Sequence, residues 1–179
     1  FMNHLVRQYY EQNSHVVLID TGNSYQGLCE LIHRKTKGED GVYYTYSEEK
    51  PISFNPFYTD DYKFSVEKKD SIKTLLLTLW KSEDEKITKT ESGELGSAVS
   101  AYIRKIQQDR SIVPSFDTFY EYMLGDYRAE LAKRDIKVSR DDFNIDNFLT
   151  TLRQYYKGGR YDFLLNSKEN IDLLNTRFI

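Results

Sequence analysis

The sequence predicts an α/β fold that carries a large all-helical region, and three observations support this prediction. Residues 16–19 form a short aliphatic run that ends at Asp20, which is typical of a strand buried on both faces of a parallel sheet. A helical pattern and a second strand-like run, residues 42–46, follow it. From residue 58 onward, apolar residues recur at the spacing of amphipathic helices.

The composition is that of a globular chain without a strong electrostatic field. The 179 residues can bury a sizeable core, and the net charge of −3 excludes a whole-molecule attraction to nucleic acid or an anionic membrane. The single cysteine, Cys29, excludes a disulfide framework and fits a reducing compartment. No apolar run approaches the roughly 20 residues that span a bilayer, so we expect a cytoplasmic protein.

The α/β part begins with a predicted helix over Met2–Glu11, whose apolar residues follow the i, i+3, i+4, i+7 rule. After the strand at 16–19, Asn23 or Ser24 is expected to cap a second helix. The next strand, at 42–46, then completes a βαβ unit. A short strand or extended segment is predicted at 52–54, and a strand begins at Arg177.

Four amphipathic helices are predicted in the region that follows. Each has only one apolar face, so we expect them to pack on one another. Thr88-x-x-Glu91 and Ser139-x-x-Asp142 resemble capping boxes, and Pro114-Ser115 precedes the third helix. The apolar stripes lie within residues 72–80, 95–106, 116–127 and 145–156.

Asp20 stands at the carboxyl end of the predicted first strand, where open α/β sheets bind ligands. It fits a Walker-B strand whose acid helps to hold Mg²⁺, or the Asp-Thr-Gly triplet of aspartic proteases. It also fits the strand after a phosphate-binding helix in a P-loop ATPase, where the acid faces the phosphates or the attacking water. The structural alternative is a carboxylate that only caps a turn or the next helix. The protease interpretation is disfavoured, because those enzymes are all-β and need two aspartates that share a proton.

Other chemical signals are weaker. The three histidines and Cys29 lack the spacing of a metal site, so no metal centre is expected. Most tyrosines and phenylalanines lie on the apolar stripes, which favours core packing over stacking on single-stranded nucleic acid. Arg160 lies in a Gly-Gly-Arg loop and is a candidate trans contact to the phosphates of a neighbouring subunit.

Five segments occur in a characteristic order: FMNHLVRQYYEQ, HVVLIDTGNSYQGLCELI, ISFNPF, ITKTESGELGSAVSAYI and VPSFDTFYEYM. In this order the chain closely resembles the TraG-type conjugative-transfer ATPases of type IV secretion machines. The resemblance runs from end to end, and IDTGNSY and NPF are its most specific parts.

The resemblance implies a partial RecA-like P-loop core with an all-helical insertion. Residues 1–57 would belong to the α/β core, 58–157 to the insertion and 158–179 to a segment that returns to the core. The Walker-A loop would precede Phe1 and the Walker-B strand would follow Ile179. We therefore expect the chain to be a fragment of a longer polypeptide, lying between the two Walker motifs.

For function, the resemblance implies a parent that binds ATP and Mg²⁺ and drives DNA or protein transfer by ATP hydrolysis, as in conjugative transposons. It would act as a ring-shaped homo-oligomer with conjugation machinery components and reach the inner face of the membrane only through these partners. Asp20, Asn23 and Ser24 would be nucleotide-adjacent.

The chain departs from the family pattern in one respect. No lysine follows a glycine and no second apolar strand ends in Asp-Glu, so both Walker motifs are missing. We expect the chain alone to be inactive and to hold no cofactor. The alternative is a non-catalytic helical protein-interaction module.

Overall fold

The computed structural model describes residues 2–45, 52–59, 61–135, 138–168 and 176–179. Its contacts divide the chain into two compact units. The first unit combines Phe1–Ile52 with Ile171–Ile179, and the second is Ser53–Asn170. The domain boundaries predicted after residues 57 and 157 stay a prediction. Within the described ranges, no helix has both the length and the apolar character needed to cross a membrane.

The first unit contains two helices, α1 (Met2–Glu11) and α2 (Gln26–Lys35). The bounds of α1 are those predicted from its apolar periodicity. A small buried cluster joins Val6 of α1 and two residues of α2 to Phe178. The two α2 residues, Cys29 and Ile32, are three positions apart and therefore lie on one face of the helix.

The prediction of an α/β fold with a partial RecA-like core is wrong for the described residues. Their regular structure is helical, and they form no β-sheet. One isolated parallel bridge joins Val16 to Phe178, and Val42 donates its N–H to the Phe178 carbonyl at 3.1 Å without extending a strand. The βαβ unit is therefore absent from the described residues, and residue 46 of the predicted second strand lies outside them.

Burial explains why the run at 16–19 is not the strand we predicted. Val16 and Leu18 pack against the buried cluster, whereas Val17 and Ile19 are 65% and 96% exposed. A central strand of a parallel sheet is covered on both faces and paired on both edges. This run has one covered face and one paired edge among the described residues. The aliphatic side chains therefore predicted more burial than the structure shows.

The second unit consists of helices around one large core. Helices α3 and α4 are joined by a short loop, and α5 continues through a π-helix into α6. Helix α7 ends in a 3₁₀ turn. The bounds are α3 Val66–Trp80, α4 Lys89–Gln108, α5 Phe116–Tyr122, the π-helix Met123–Tyr127, α6 Arg128–Lys133, α7 Ile145–Leu152 and the 3₁₀ turn Arg153–Tyr155. The predicted apolar stripes supply most of its buried side chains.

Side-chain caps set where these helices begin. The predicted capping box of α4 is confirmed, because Thr88 and Glu91 exchange hydrogen bonds of 2.9 and 3.1 Å. The box predicted at Ser139 is wrong. The Ser139 carbonyl instead accepts N–H bonds from two following residues in a turn, and Asn144 caps α7 at 2.9 Å.

The Asn55-Pro56-Phe57 segment is anchored in the second unit. The Asn55 amide donates to the Pro114 carbonyl at 2.8 Å and accepts the Phe57 N–H at 2.9 Å. The Phe57 ring is fully buried and stacks on Phe119 with a centroid distance of 5.1 Å. The predicted extended segment at 52–54 is not a strand, although Phe54 donates its N–H to the Leu164 carbonyl.

Candidate functional site

The Asp20 carboxylate organises the loop that connects residue 20 to α2. One carboxylate oxygen accepts the Gly22 N–H at 3.0 Å, and the other accepts the Tyr25 N–H at 3.0 Å. Tyr25 is the residue that precedes α2, and its own side chain makes no cap hydrogen bond. Asp20 therefore satisfies an N–H at the start of the helix from five residues upstream.

The predicted cap of α2 was thus assigned to the wrong residues. Neither Asn23 nor Ser24 caps the helix, because Asp20 takes that role. This geometry agrees with the structural alternative for Asp20, a carboxylate that caps a turn and a helix. It leaves the nucleotide-adjacent role of Asp20, Asn23 and Ser24 a prediction.

The structure brings the three predicted site residues into one loop, hereafter the 20–25 loop. Asn23 has a left-handed backbone, with φ of 55°, a conformation that asparagine adopts more readily than most residues. Its side-chain oxygen accepts the Tyr43 hydroxyl at 2.8 Å. The Ser24 carbonyl accepts the amide of Asn3, on α1, at 3.2 Å.

Asn3 and Tyr43 were not predicted as site residues. Asn3 is exposed on α1, and Tyr43 fell within a run that was interpreted as a strand. Neither contact follows a local spacing rule, since the partners are 21 and 20 residues apart. No pattern in the sequence would have identified them.

Hydrogen bonds within the loop favour the ionised form of the Asp20 carboxyl group. The backbone N–H of Gly22, followed by that of Tyr25, lowers the pKa of Asp20 below its ordinary value. The carboxylate is therefore ionised at neutral pH. Its negative charge repels phosphate oxygens, and it already occupies two backbone N–H groups that would otherwise attract an anion.

The described residues therefore do not fit the phosphates of ATP by themselves. The whole sequence lacks a glycine-rich loop ending in lysine, which is the group that wraps and neutralises those phosphates. No cluster of three metal-ligating side chains occurs in the described part of the chain. The carboxylate and hydroxyl oxygens of the loop suit an edge that faces water or a hydrated cation.

A second polar cluster in the first unit was also missed. The Asp40 side chain is buried, and its oxygens accept the Tyr10 hydroxyl at 2.7 Å and the Arg177 N–H at 2.7 Å. The Arg177 guanidinium lies 4.9 Å from the Tyr10 ring centroid and donates to Asn13 at 2.9 Å. These bonds hold the segment at 176–179 against α1.

Arg160 lies in the second unit, in the loop after the 3₁₀ turn. Its side chain is exposed, and its guanidinium stacks on the Tyr161 ring at 5.3 Å. No ion pair to Arg160 occurs among the residues described. Gly158 makes the turn possible, because its φ of 75° is costly for residues with a side chain.

Comparison with known families decides the classification. The model of the TraG P-loop domain matches residues 1–179. The chain belongs to the TraG P-loop domain family. No curated protein and no solved structure matches it.

Membership places this TraG P-loop domain in the context of conjugation-related P-loop ATPases. A P-loop domain implies nucleotide binding by the parent protein. The resemblance noted from the sequence segments is thereby confirmed at the level of the family.

Proposed function

We propose that this TraG P-loop domain contributes the segment between the Walker motifs of a conjugation or type IV secretion ATPase. The match to the family over residues 1–179 supports this, as does the lack of both motifs within the sequence. The observation that carries the proposal is the 20–25 loop, which contains Asp20, Asn23 and Ser24 and is held by hydrogen bonds within the loop and from Tyr43 and Asn3. The parent uses ATP and Mg²⁺ to drive DNA or protein transfer.

In this proposal the 20–25 loop forms one edge of the nucleotide site. Asp20 faces water or a hydrated Mg²⁺ rather than the phosphates directly, because its charge is negative and its pKa is lowered. The phosphate-binding groups come from the Walker-A loop, which this sequence does not contain. Our proposal therefore assigns the chain alone no ATP hydrolysis.

The activity of the chain alone tests whether the phosphate-binding groups come from another segment. We expect no phosphate release above background when the purified chain is incubated with ATP and Mg²⁺. Release that depends on Mg²⁺ and scales with chain concentration would contradict the assignment of the phosphate-binding groups to another segment.

Substitution of Asp20 tests whether the 20–25 loop forms an edge of the nucleotide site. In the polypeptide that carries this domain with both Walker motifs, Asp20→Ala should reduce kcat for ATP about 10- to 100-fold, the usual effect of losing an outer-shell partner of a metal site. Asp84→Ala is the control, since Asp84 is an exposed aspartate with no ion pair among the described residues. Unchanged turnover in Asp20→Ala would favour the structural alternative, in which the Asp20 carboxylate only caps the turn and α2.

We further propose that the parent forms a homo-oligomeric ring and meets the conjugation machinery at the cytoplasmic face of the membrane. In such a ring Arg160 contacts the nucleotide of a neighbouring subunit. Support for this is its exposure and its freedom from ion pairs within the described residues. Arg160→Ala should lower the turnover of assembled rings about 10-fold or more and leave the turnover of separated subunits unchanged. An equal loss in both forms would contradict a trans contact.

A further inference from the structure

The 20–25 loop is held in place by two residues outside it. Within the loop, the Asp20 carboxylate accepts the N–H groups of Gly22 and Tyr25. Asn23 and Ser24 lie between these two donors in the chain, so we expect a displacement of Asn23 or Ser24 to shift the donors to which the carboxylate is hydrogen-bonded. The direction of Asp20 thus depends on what fixes the middle of the loop.

Asn3, which precedes the loop in the chain, and Tyr43, which follows it, both hydrogen-bond to the middle of the loop. The Tyr43 hydroxyl donates to the Asn23 side chain at 2.8 Å, at a residue whose backbone is left-handed. The Asn3 amide donates to the Ser24 carbonyl at 3.2 Å. Asn23 and Ser24 are otherwise exposed and bury little surface. Hydrogen bonds therefore supply most of the restraint on this part of the loop.

We propose that Tyr43 and Asn3 are positioning residues for the Asp20 carboxylate. The inference rests on the proposed function, in which Asp20 lies at the edge of the nucleotide site. Asn3 belongs to α1 and Tyr43 follows α2, so the two bonds join the loop to α1 and to the segment after α2. A catalytic carboxylate has to be held within a fraction of an ångström of its working position, and partners of this kind provide that accuracy.

The first readout is structural and needs no nucleotide. Tyr43→Phe removes one hydroxyl and keeps the ring, and Asn3→Ala removes one amide. In the chain itself, each change should raise the exchange rate of the Gly22 and Tyr25 amide protons about five-fold, the effect of one lost hydrogen bond. Tyr44→Phe is the matched control, because the Tyr44 hydroxyl has no hydrogen bond among the described residues and its loss should change neither rate.

The second readout is kinetic. In the polypeptide with both Walker motifs, Tyr43→Phe and Asn3→Ala should each lower kcat about five-fold with little change in KM for ATP. The double variant Asp20→Ala/Tyr43→Phe should be no slower than Asp20→Ala alone, because Tyr43 acts through Asp20. A purely structural role would give additive losses.

The outcomes separate the two proposals. If Asp20→Ala has normal turnover, the proposed place of the 20–25 loop at the nucleotide site is overturned, and this inference is overturned with it. If Asp20→Ala is slow while Tyr43→Phe and Asn3→Ala are normal, only the positioning role is overturned. Additive losses or unchanged amide exchange in the Tyr43 and Asn3 variants would also overturn it.

Discussion

The Arg177 guanidinium lies 3.2 Å from the Asp40 carboxylate and joins two residues that are 137 positions apart. The Asp40 side chain is 7% exposed and that of Arg177 is 34% exposed. Breaking such a pair by removing one partner leaves a buried charge without compensation, which is costly. The pair therefore contributes to the attachment of the segment at 176–179 to the first unit, together with the buried Phe178 ring and the backbone hydrogen bonds of the segment.

Asp40→Ala should destabilise this attachment by about 2 kcal/mol, a value reduced from the usual cost of a broken buried pair because Arg177 is partly exposed. The amide protons of Val16 and Leu18 report it, since they donate to the carbonyls of Arg177 and Ile179. Their exchange should accelerate about 30-fold. Arg34→Ala, which removes an exposed pair with Glu30 at 3.6 Å, should have almost no effect.

The same pair predicts a dependence on pH. Burial raises the pKa of Asp40, but hydrogen bonds from the Tyr10 hydroxyl and the Arg177 N–H, together with the Arg177 charge, outweigh it and the net pKa is lowered. A lowered pKa in the folded state gives stability that is present above the unfolded pKa of about 4 and is lost as the pH falls through the folded value. The protection of the Val16 and Leu18 amide protons should therefore decline below about pH 4. A protection profile that is the same in Asp40→Asn and the wild type would contradict this assignment.

A second buried ion pair joins Lys81, the residue after α3, to the first turn of α4. Lys81 lies 2.5 Å from Glu91, and their side chains are 14% and 9% exposed. Glu91→Ala should destabilise the second unit by about 3 kcal/mol, and Thr88→Ala by about 1 kcal/mol, since the latter removes only the cap.

Urea unfolding followed by Trp80 fluorescence measures both effects, because Trp80 is the single tryptophan and Lys81 lies 4.3 Å from its ring centroid. Glu83→Ala, at an exposed residue of the same loop, is the control and should change stability by less than about 0.5 kcal/mol. A Glu91→Ala cost no larger than that of Thr88→Ala would show that the ion pair adds nothing.

Phe57 tests the role of the Asn55-Pro56-Phe57 segment. Phe57 is fully buried against Phe119 and Tyr102, so Phe57→Ala should destabilise the second unit by about 3–5 kcal/mol. Val113→Ala, at a residue that is 71% exposed, should cost less than about 0.5 kcal/mol in the same urea experiment. If Phe57→Ala has the same urea midpoint of unfolding as the wild type, the segment does not stabilise this core.

The helices were the predictable part of the fold. Their apolar periodicity and the Thr88 capping box are local patterns, and local patterns can be identified in a single sequence. The extended segments were not predictable in this way. The Val16 bridge depends on Phe178 at the far end of the chain, and the exposure of Ile19 depends on which neighbours pack beside it.

The candidate site shows the same division. Asp20, Asn23 and Ser24 were predicted from the family resemblance and from their place after an aliphatic run, and their role beside the nucleotide stays a prediction. Tyr43 and Asn3 were not predicted, because their bonds to the loop are tertiary contacts. Asp20 was considered as a cap only as an alternative, and Asn23 or Ser24 was expected to cap α2, because the five positions from Asp20 to Tyr25 do not match the usual spacing of a helix cap.

In the proposed function, the 20–25 loop borders the nucleotide site of the parent ATPase. The most direct test replaces Mg²⁺ by Mn²⁺ with bound ATP in the polypeptide that carries both Walker motifs, and measures paramagnetic relaxation of amide protons in the first unit. We predict the strongest relaxation at Gly22–Ser24, with a decrease along α2 toward Lys35, about 15 Å away at the far end of the helix. Relaxation that is uniform along α2, or strongest at Lys35, would contradict the claim.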